Sequence, residues 1–184
     1  MELIVLLFVI FVIFFWGLFL YNRLVRARNT CDEAWAGIDT ELKRRYDLIP
    51  ALVETVKGYA AYERETLNRV IEARSRAIAS TGSPASQARD ENILVGALRE
   101  LLAIAENYPL LKADEHFLQL QKELINTEDR IQAARRFYNA NVRDLNNLIE
   151  SVPTNVLARW FGFEKREFFE IESAIERTTP EVKL

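Results

Sequence analysis

The sequence predicts an all-α protein: a single N-terminal transmembrane helix followed by an elongated antiparallel helical bundle. Three observations carry this reading. Residues 3–20, LIVLLFVIFVIFFWGLFL, contain no charged side chain. From Asn22 onward, apolar residues recur at spacings of three, four and seven, the repeat of one helix face. Glycine is scarce, and no stretch between turns alternates apolar with polar residues, so strands have no signal.

The apolar run comes first. A membrane span needs about 20 apolar residues, and about 18 is the usual threshold. Trp16 and Tyr21 lie toward its end, where amphipathic aromatics favour the headgroup layer. A cleaved signal peptide is the alternative. It needs a basic start and a small-residue cleavage step, whereas this chain starts Met-Glu and leaves the run through Tyr-Asn-Arg-Leu-Val-Arg. An uncleaved anchor is therefore expected. Arg23, Arg26 and Arg28 follow it, and only the α-amino group and Glu2 precede it. Basic residues resist translocation, so the C-terminal domain is expected in the cytoplasm. The chain then divides into an anchor (1–21), a bundle (22–152) and an aromatic-rich tail (153–184).

Across residues 22–80, Trp35, Leu42, Ile49, Val56, Val70 and Ala77 share one seven-residue spacing, with Glu63 as the polar exception. Cys31, Ile38 and Leu52 lie beside that stripe. The phase carries across Pro50, and no Gly or Asn turn residue lies near it. A kinked continuous helix is favoured over a hairpin. A break, with Asp47 capping a new helix and Pro50 in its first turn, is the alternative.

Residues 81–87, TGSPASQ, read as a loop. Residues 90–108 are helical again, with Ile93, Leu94, Ala97, Leu98, Leu101, Leu102 and Ala105 as the buried face, and Tyr108-Pro109 ends them. Residues 115–150 form a long helix whose stripe includes Phe117, Leu120, Leu124, Ile131, Ala134, Tyr138, Val142, Leu145 and Ile149; Pro153 stops it. In the tail, Val156, Leu157, Trp160 and Phe161 make one face. Exposed aromatic patches are uncommon, so a short helix closing one end of the bundle is favoured. The alternative places Trp160, Phe161 and Phe163 at membrane headgroups.

The chemistry-bearing residues are few. One Cys excludes an internal disulfide and any multi-cysteine metal site, and one His excludes an H-E-x-x-H helix. A net charge of −3 gives no reason to expect nucleic acid. His116 reads as a polar residue in a first helical turn, and Cys31 as a small buried hydrophobe. No cofactor, metal or catalytic residue is indicated. Two basic sets, Lys43-Arg44-Arg45 and Arg135-Arg136, have Asp39, Asp47, Glu128 and Asp129 close by. Ion pairs that set helix register are favoured for them. An anion or lipid-headgroup site is the alternative.

Tyr21 to Asn29 and Tyr138 to Asn146 share Tyr-Asn-x-x-Val-Arg-x-x-Asn, which puts two Asn on one face in each copy. Further motifs are Ala34-Trp35-x-x-Ile38-Asp39, Leu42-Lys43-Arg44-Arg45-Tyr46-Asp47-Leu48-Ile49-Pro50, Glu106-x-Tyr108-Pro109-x-Leu111-Lys112-Ala113, Glu128-x-Arg130-Ile131 and Ala134-Arg135-Arg136-x-Tyr138-Asn139. In this order, over nearly the whole chain, they resemble the LemA family. The resemblance implies a prokaryotic membrane-anchored helical bundle, in the inner (cytoplasmic) membrane, of a family with no established enzymatic activity; a non-enzyme is expected. The resemblance points to membrane organisation or protein quality control; the anchor, the all-α pattern and the absent catalytic constellation make a scaffold or adaptor the expected role. The expected partners are the bilayer and a second copy of the chain; the resemblance adds another membrane protein, such as an HtpX-like protease.

Overall fold

The computed structural model describes residues 1–174. They are helical, with no strand among the described residues: α1 (Glu2–Tyr59), α2 (Arg64–Ala79), α3 (Pro84–Ala105), α4 (Pro109–Lys112), α5 (Glu115–Glu150) and α6 (Thr154–Trp160). The chain forms two compact units. One comprises Met1–Gly37 and Arg136–Phe168; the other comprises Ile38–Arg135 and the chain from Phe169. Residues 175–184 of the predicted tail lie outside the described residues.

In the first unit, the start of α1 is the apolar run, long and apolar enough to cross a membrane, with nearly all its side chains exposed. Below it, α1 and the end of α5 run antiparallel. Trp35 meets Tyr138 at 5.2 Å between ring centroids, while Leu20, Arg23 and Ala27 share a groove with Asp144, Leu148 and Ser151. Leu24, Cys31, Ala34, Tyr138, Val142 and Leu145 are buried there.

In the second unit, α1, α2, α3 and α5 form an up-down-up-down bundle, seen in the pairs Tyr46–Arg74, Arg76–Asp90, Arg69–Glu100 and Tyr59–Asp114. Its core gathers Ile49, Leu52, Val56, Val70, Leu94, Leu98, Leu101, Leu111, Phe117 and Leu124.

The expectation of one kinked helix over residues 22–80 is corrected. α1 passes unbroken through Pro50 and ends at Tyr59; the chain reverses at Ala60–Glu63, and α2 begins at Arg64. The seven-residue phase carries over because both helices bury their stripe in the same core. Glu63, the polar exception in that stripe, is the N-cap residue of α2. Gly or Asn is absent because the tight hydrogen bond from Glu63 N–H to the Ala60 carbonyl needs no left-handed residue.

The predicted loop is also shorter than expected. Ser83 caps α3, its Oγ accepting from Ser86 N–H at 3.4 Å, and Pro84 takes the first helical position. Ser-Pro here is a start signal rather than loop filler. At the front of α5, Asp114 Oδ1 accepts from Phe117 N–H at 2.8 Å. That bond holds the carboxyl below the usual range, with the Tyr59 hydroxyl adding to it.

The tail departs most from expectation. α6 buries only Thr154 and Ala158; Val156, Trp160 and Phe161 face outward, so its aromatic face does not close a bundle. After Gly162, whose φ of 68° only glycine adopts freely, the described residues 163–174 run without helix. Side chains hold its backbone in both units. In the first, Tyr138 Oη donates to the Glu167 carbonyl at 3.0 Å, and Asn146 exchanges two bonds with Arg166 (3.0 and 2.9 Å). In the second, Arg99 and Gln132 donate to the carbonyls of Ser173 and Glu172, Asn92 accepts from Glu172 N–H, and Phe169 and Ile171 are buried.

Candidate functional site

The most concentrated charged chemistry among the described residues lies inside the second unit. Arg45 is 0% exposed, Glu91 2% and Glu128 2%. One guanidinium nitrogen donates to Glu128 at 2.8 Å and another to Glu91. The Tyr46 hydroxyl donates to the other Glu91 oxygen, and the remaining Glu128 oxygen accepts from Ala174 N–H at 3.3 Å. Arg45 Nε has no hydrogen-bond partner among the described residues.

Helix register explains why these three groups meet. Cys31, Ile38, Arg45 and Leu52 are seven apart, so Arg45 takes a core position of α1. Glu91 stands seven before Leu98 and fourteen before Ala105 on the buried face of α3. Glu128 lies between Leu124 and Ile131 on α5. A cation from one helix is thus aimed between carboxylates of two others. Burial disfavours the Arg45 charge, but Glu128 and Glu91 outweigh it, so the guanidinium is held more firmly protonated than usual. Burial pushes the Glu91 carboxyl up, against the opposing pull of Arg45 and the Tyr46 bond. Burial and the adjoining Glu91 push the Tyr46 phenol up as well, so it stays a neutral donor.

The other sequence-predicted residues are dispersed. Asp39, Lys43, Asp47 and Pro50 are exposed on α1. Arg44 is exposed and pairs with Glu41 one turn away at 3.3 Å, a contact of little energetic weight. Arg44, Asp47, Glu123, Asn126, Thr127 and Arg130 line a shallow groove, in which two cations face two carboxylates. Glu106 and Lys112 are exposed, Pro109 opens α4, and Tyr108 donates to Glu63 at 3.2 Å. Arg135 donates to the Ile171 carbonyl, Arg136 is exposed, and Asn139 is half-buried.

In the first unit, Tyr138 is buried; burial pushes its phenol up to about 12. Trp16, Arg23, Arg26 and Arg28 are exposed, with Arg28 over the Phe163 ring at 5.3 Å, and Tyr21 is half-buried. The two Tyr-Asn copies play different parts: Asn22 and Asn29 are exposed, whereas Asn146 binds the tail. His116 is exposed and Cys31 is buried.

Sequence reasoning did not single out Glu91, and it treated Arg45 as one of a basic set whose ion pairs set helix register. The signal was present: each is a charged residue at a core position of a heptad stripe. Among the described residues, no group of three His, Cys, Asp or Glu side chains is arranged to hold a metal ion.

Comparison with known proteins agrees with the motif pattern. The sequence model of the LemA family matches residues 34–184. Protein LemA of Metamycoplasma hominis is 30% identical over 179 residues, covering 92% of this chain and 80% of that protein. Magnetosome protein MamQ 2 of Paramagnetospirillum magneticum is 25% identical over 179 residues, covering 84% of this chain and 66% of that protein. Magnetosome protein MamQ of Magnetospirillum gryphiswaldense is 24% identical over 174 residues, covering 81% and 64%. The chain therefore spans slightly less than two thirds of the length of these two MamQ relatives.

Proposed function

Because the chain belongs to the LemA family, we propose that it is a non-enzymatic, single-pass membrane scaffold whose bundle acts through its outer helix surfaces. One observation carries the proposal: Arg45, Glu91 and Glu128 answer one another inside the core. General acid–base or nucleophilic catalysis needs groups that reach a substrate, and these do not. What faces outward is helix surface with isolated apolar side chains, among them Ile71 and Ile78 on α2 and Ile93 on α3. Such faces suit protein contacts.

The membrane reading rests on the exposed apolar run. On this proposal the protein sits in the inner membrane of a prokaryote, and the exposed Arg23, Arg26 and Arg28 after the run support a bundle on the cytoplasmic side. Membrane organisation or quality control is the role this serves. Its partners are a second copy of the chain or another membrane protein, such as an HtpX-like protease. Affinity purification and cross-linking from gently solubilised membranes test this. Recovery of a specific oligomer or membrane partner is expected; a strictly monomeric protein without a partner overturns the proposal.

Anion binding is the second reading, and Arg44 with Arg130 in one groove favours it. Asp47 and Glu123 line the same groove and cancel that charge, so the reading ranks below the scaffold. Titration with inorganic phosphate and with phosphatidylglycerol vesicles, comparing wild type with Arg44→Ala/Arg130→Ala, decides it.

A further inference from the structure

The aromatic face of α6 is largely uncovered within its own unit. Trp160 is 81% exposed, Val156 63% and Phe161 57%. They stand on the outer side of a short helix whose inner side is Thr154 and Ala158. Trp160 and Phe161 are stacked, with ring centroids 6.2 Å apart and planes 28° apart, and present one continuous apolar surface. Solvent exposure of such a surface is unfavourable, so it implies an occupant.

Its position identifies that occupant. Phe161 packs on Tyr21 at 4.8 Å and Phe163 on the same ring at 6.0 Å. Pro153 and Thr154, at the start of α6, share a groove with Leu20 and Arg23. Leu20 and Tyr21 are where the apolar run ends. The uncovered face therefore sits at the level along α1 at which a spanning helix emerges from hydrocarbon. Trp and Phe beside an amphipathic tyrosine suit that layer, where one end of the side chain is apolar and the other wet. Arg159 on α6 and Arg23, Arg26 and Arg28 on α1 are exposed around it and match anionic headgroups. Phe163 is half-buried under Arg28 and belongs to the inner packing instead.

We infer that α6 and Phe161 form a second membrane contact, a monotopic wedge that seats Val156, Trp160 and Phe161 in the phospholipid headgroup layer beside the span. Two attachments on one unit restrain its tilt and rotation at the membrane surface, which a single flexible exit from a span does not. The inference rests on the reading of residues 3–20 as a span.

Spin labels on single cysteines in the full chain test it. Cys31 is fully buried, so the parent chain should take up no label. Val156→Cys changes an exposed residue, Phe11→Cys reports on the span, and Thr81→Cys is the aqueous control. The protein is reconstituted in vesicles of phosphatidylethanolamine and phosphatidylglycerol, and collision with oxygen is compared with collision with a water-soluble nickel chelate. The expected result is oxygen-favoured collision at Phe11→Cys and, less strongly, at Val156→Cys, with nickel favoured at Thr81→Cys. If Phe11→Cys is oxygen-favoured but Val156→Cys behaves like Thr81→Cys, the wedge is overturned and the span stands. Nickel access at Phe11→Cys overturns the span and the wedge together. A label at Val156→Cys shielded from both reagents shows a protein cover and also overturns the wedge.

Discussion

Arg74 Nε donates a 2.7 Å hydrogen bond to the Tyr46 carbonyl, the acceptor that Pro50 leaves without a helical partner. In an α-helix that carbonyl would accept from the N–H four residues on, and proline has none. A side chain from α2 supplies the missing donor. This explains how α1 carries a proline in mid-helix without ending there.

Removing that donor has a defined cost. Arg74→Met is expected to destabilise the bundle by about 1 kcal/mol, the low end of the penalty for an unsatisfied acceptor, because this bond is only part-buried. Pro50→Ala restores the backbone N–H, so Arg74→Met should cost much less in that background. A double-mutant cycle by denaturant unfolding in detergent measures the coupling; strict additivity would show the bond to be incidental.

Arg45 is the partner whose loss should hurt most. Arg45→Met leaves the Glu91 and Glu128 carboxylates buried without their cation, and breaking such pairs costs about 3–5 kcal/mol. Adding Glu91→Gln and Glu128→Gln removes the stranded charges and should recover much of the loss. If Arg45→Met unfolds at the same denaturant concentration as wild type, the cluster is not what holds these helices in register.

The raised Glu91 carboxyl predicts a sign for the pH dependence. Its folded state binds the proton more tightly than the unfolded chain, whose carboxyl titrates near about 4.3. The stability from that preference is complete below the unfolded value and is lost as pH rises through the folded one. Wild type compared with Glu91→Gln should therefore lose relative stability as pH rises above the ordinary glutamate range. Thermal unfolding of both across that range checks it; a relative gain would mean that Arg45 has pulled the carboxyl down instead.

Cys31 lies on a buried stripe of α1. Burial pushes its thiol up, so the folded chain should resist thiol reagents and the unfolded chain should react. That silence makes topology readable from an added cysteine. Thr81→Cys, in the exposed turn before α3, should be protected from an impermeant maleimide in intact cells and labelled after permeabilisation. Labelling in intact cells would put the bundle on the other side of the membrane.

Periodicity carried much of the fold. The stripe on residues 115–150 predicts the bounds that α5 has, and the uncharged run over residues 3–20 stands exposed on α1. These are properties of consecutive residues, and one chain displays them. Tertiary structure decided the rest. The reversal at Ala60–Glu63 was hidden because two helices buried in one core can keep a common phase. Glu91 drew no reading from the sequence, and its role came only from the fold that brings Arg45 to it. Arg135, read as half of an ionic pair, proved to hold the Ile171 carbonyl of the tail.

The sequence by itself determined an all-helical chain with a long apolar N-terminal run, and its family, because hydropathy and helical period are local and additive along the backbone. Only the tertiary structure decided which charges are silent and which faces are open. A side chain's exposure and the field around it depend on what other segments place beside it. Arg45 is a core residue because two carboxylates from α3 and α5 surround it, and Trp160 is a surface residue because nothing in its unit covers it.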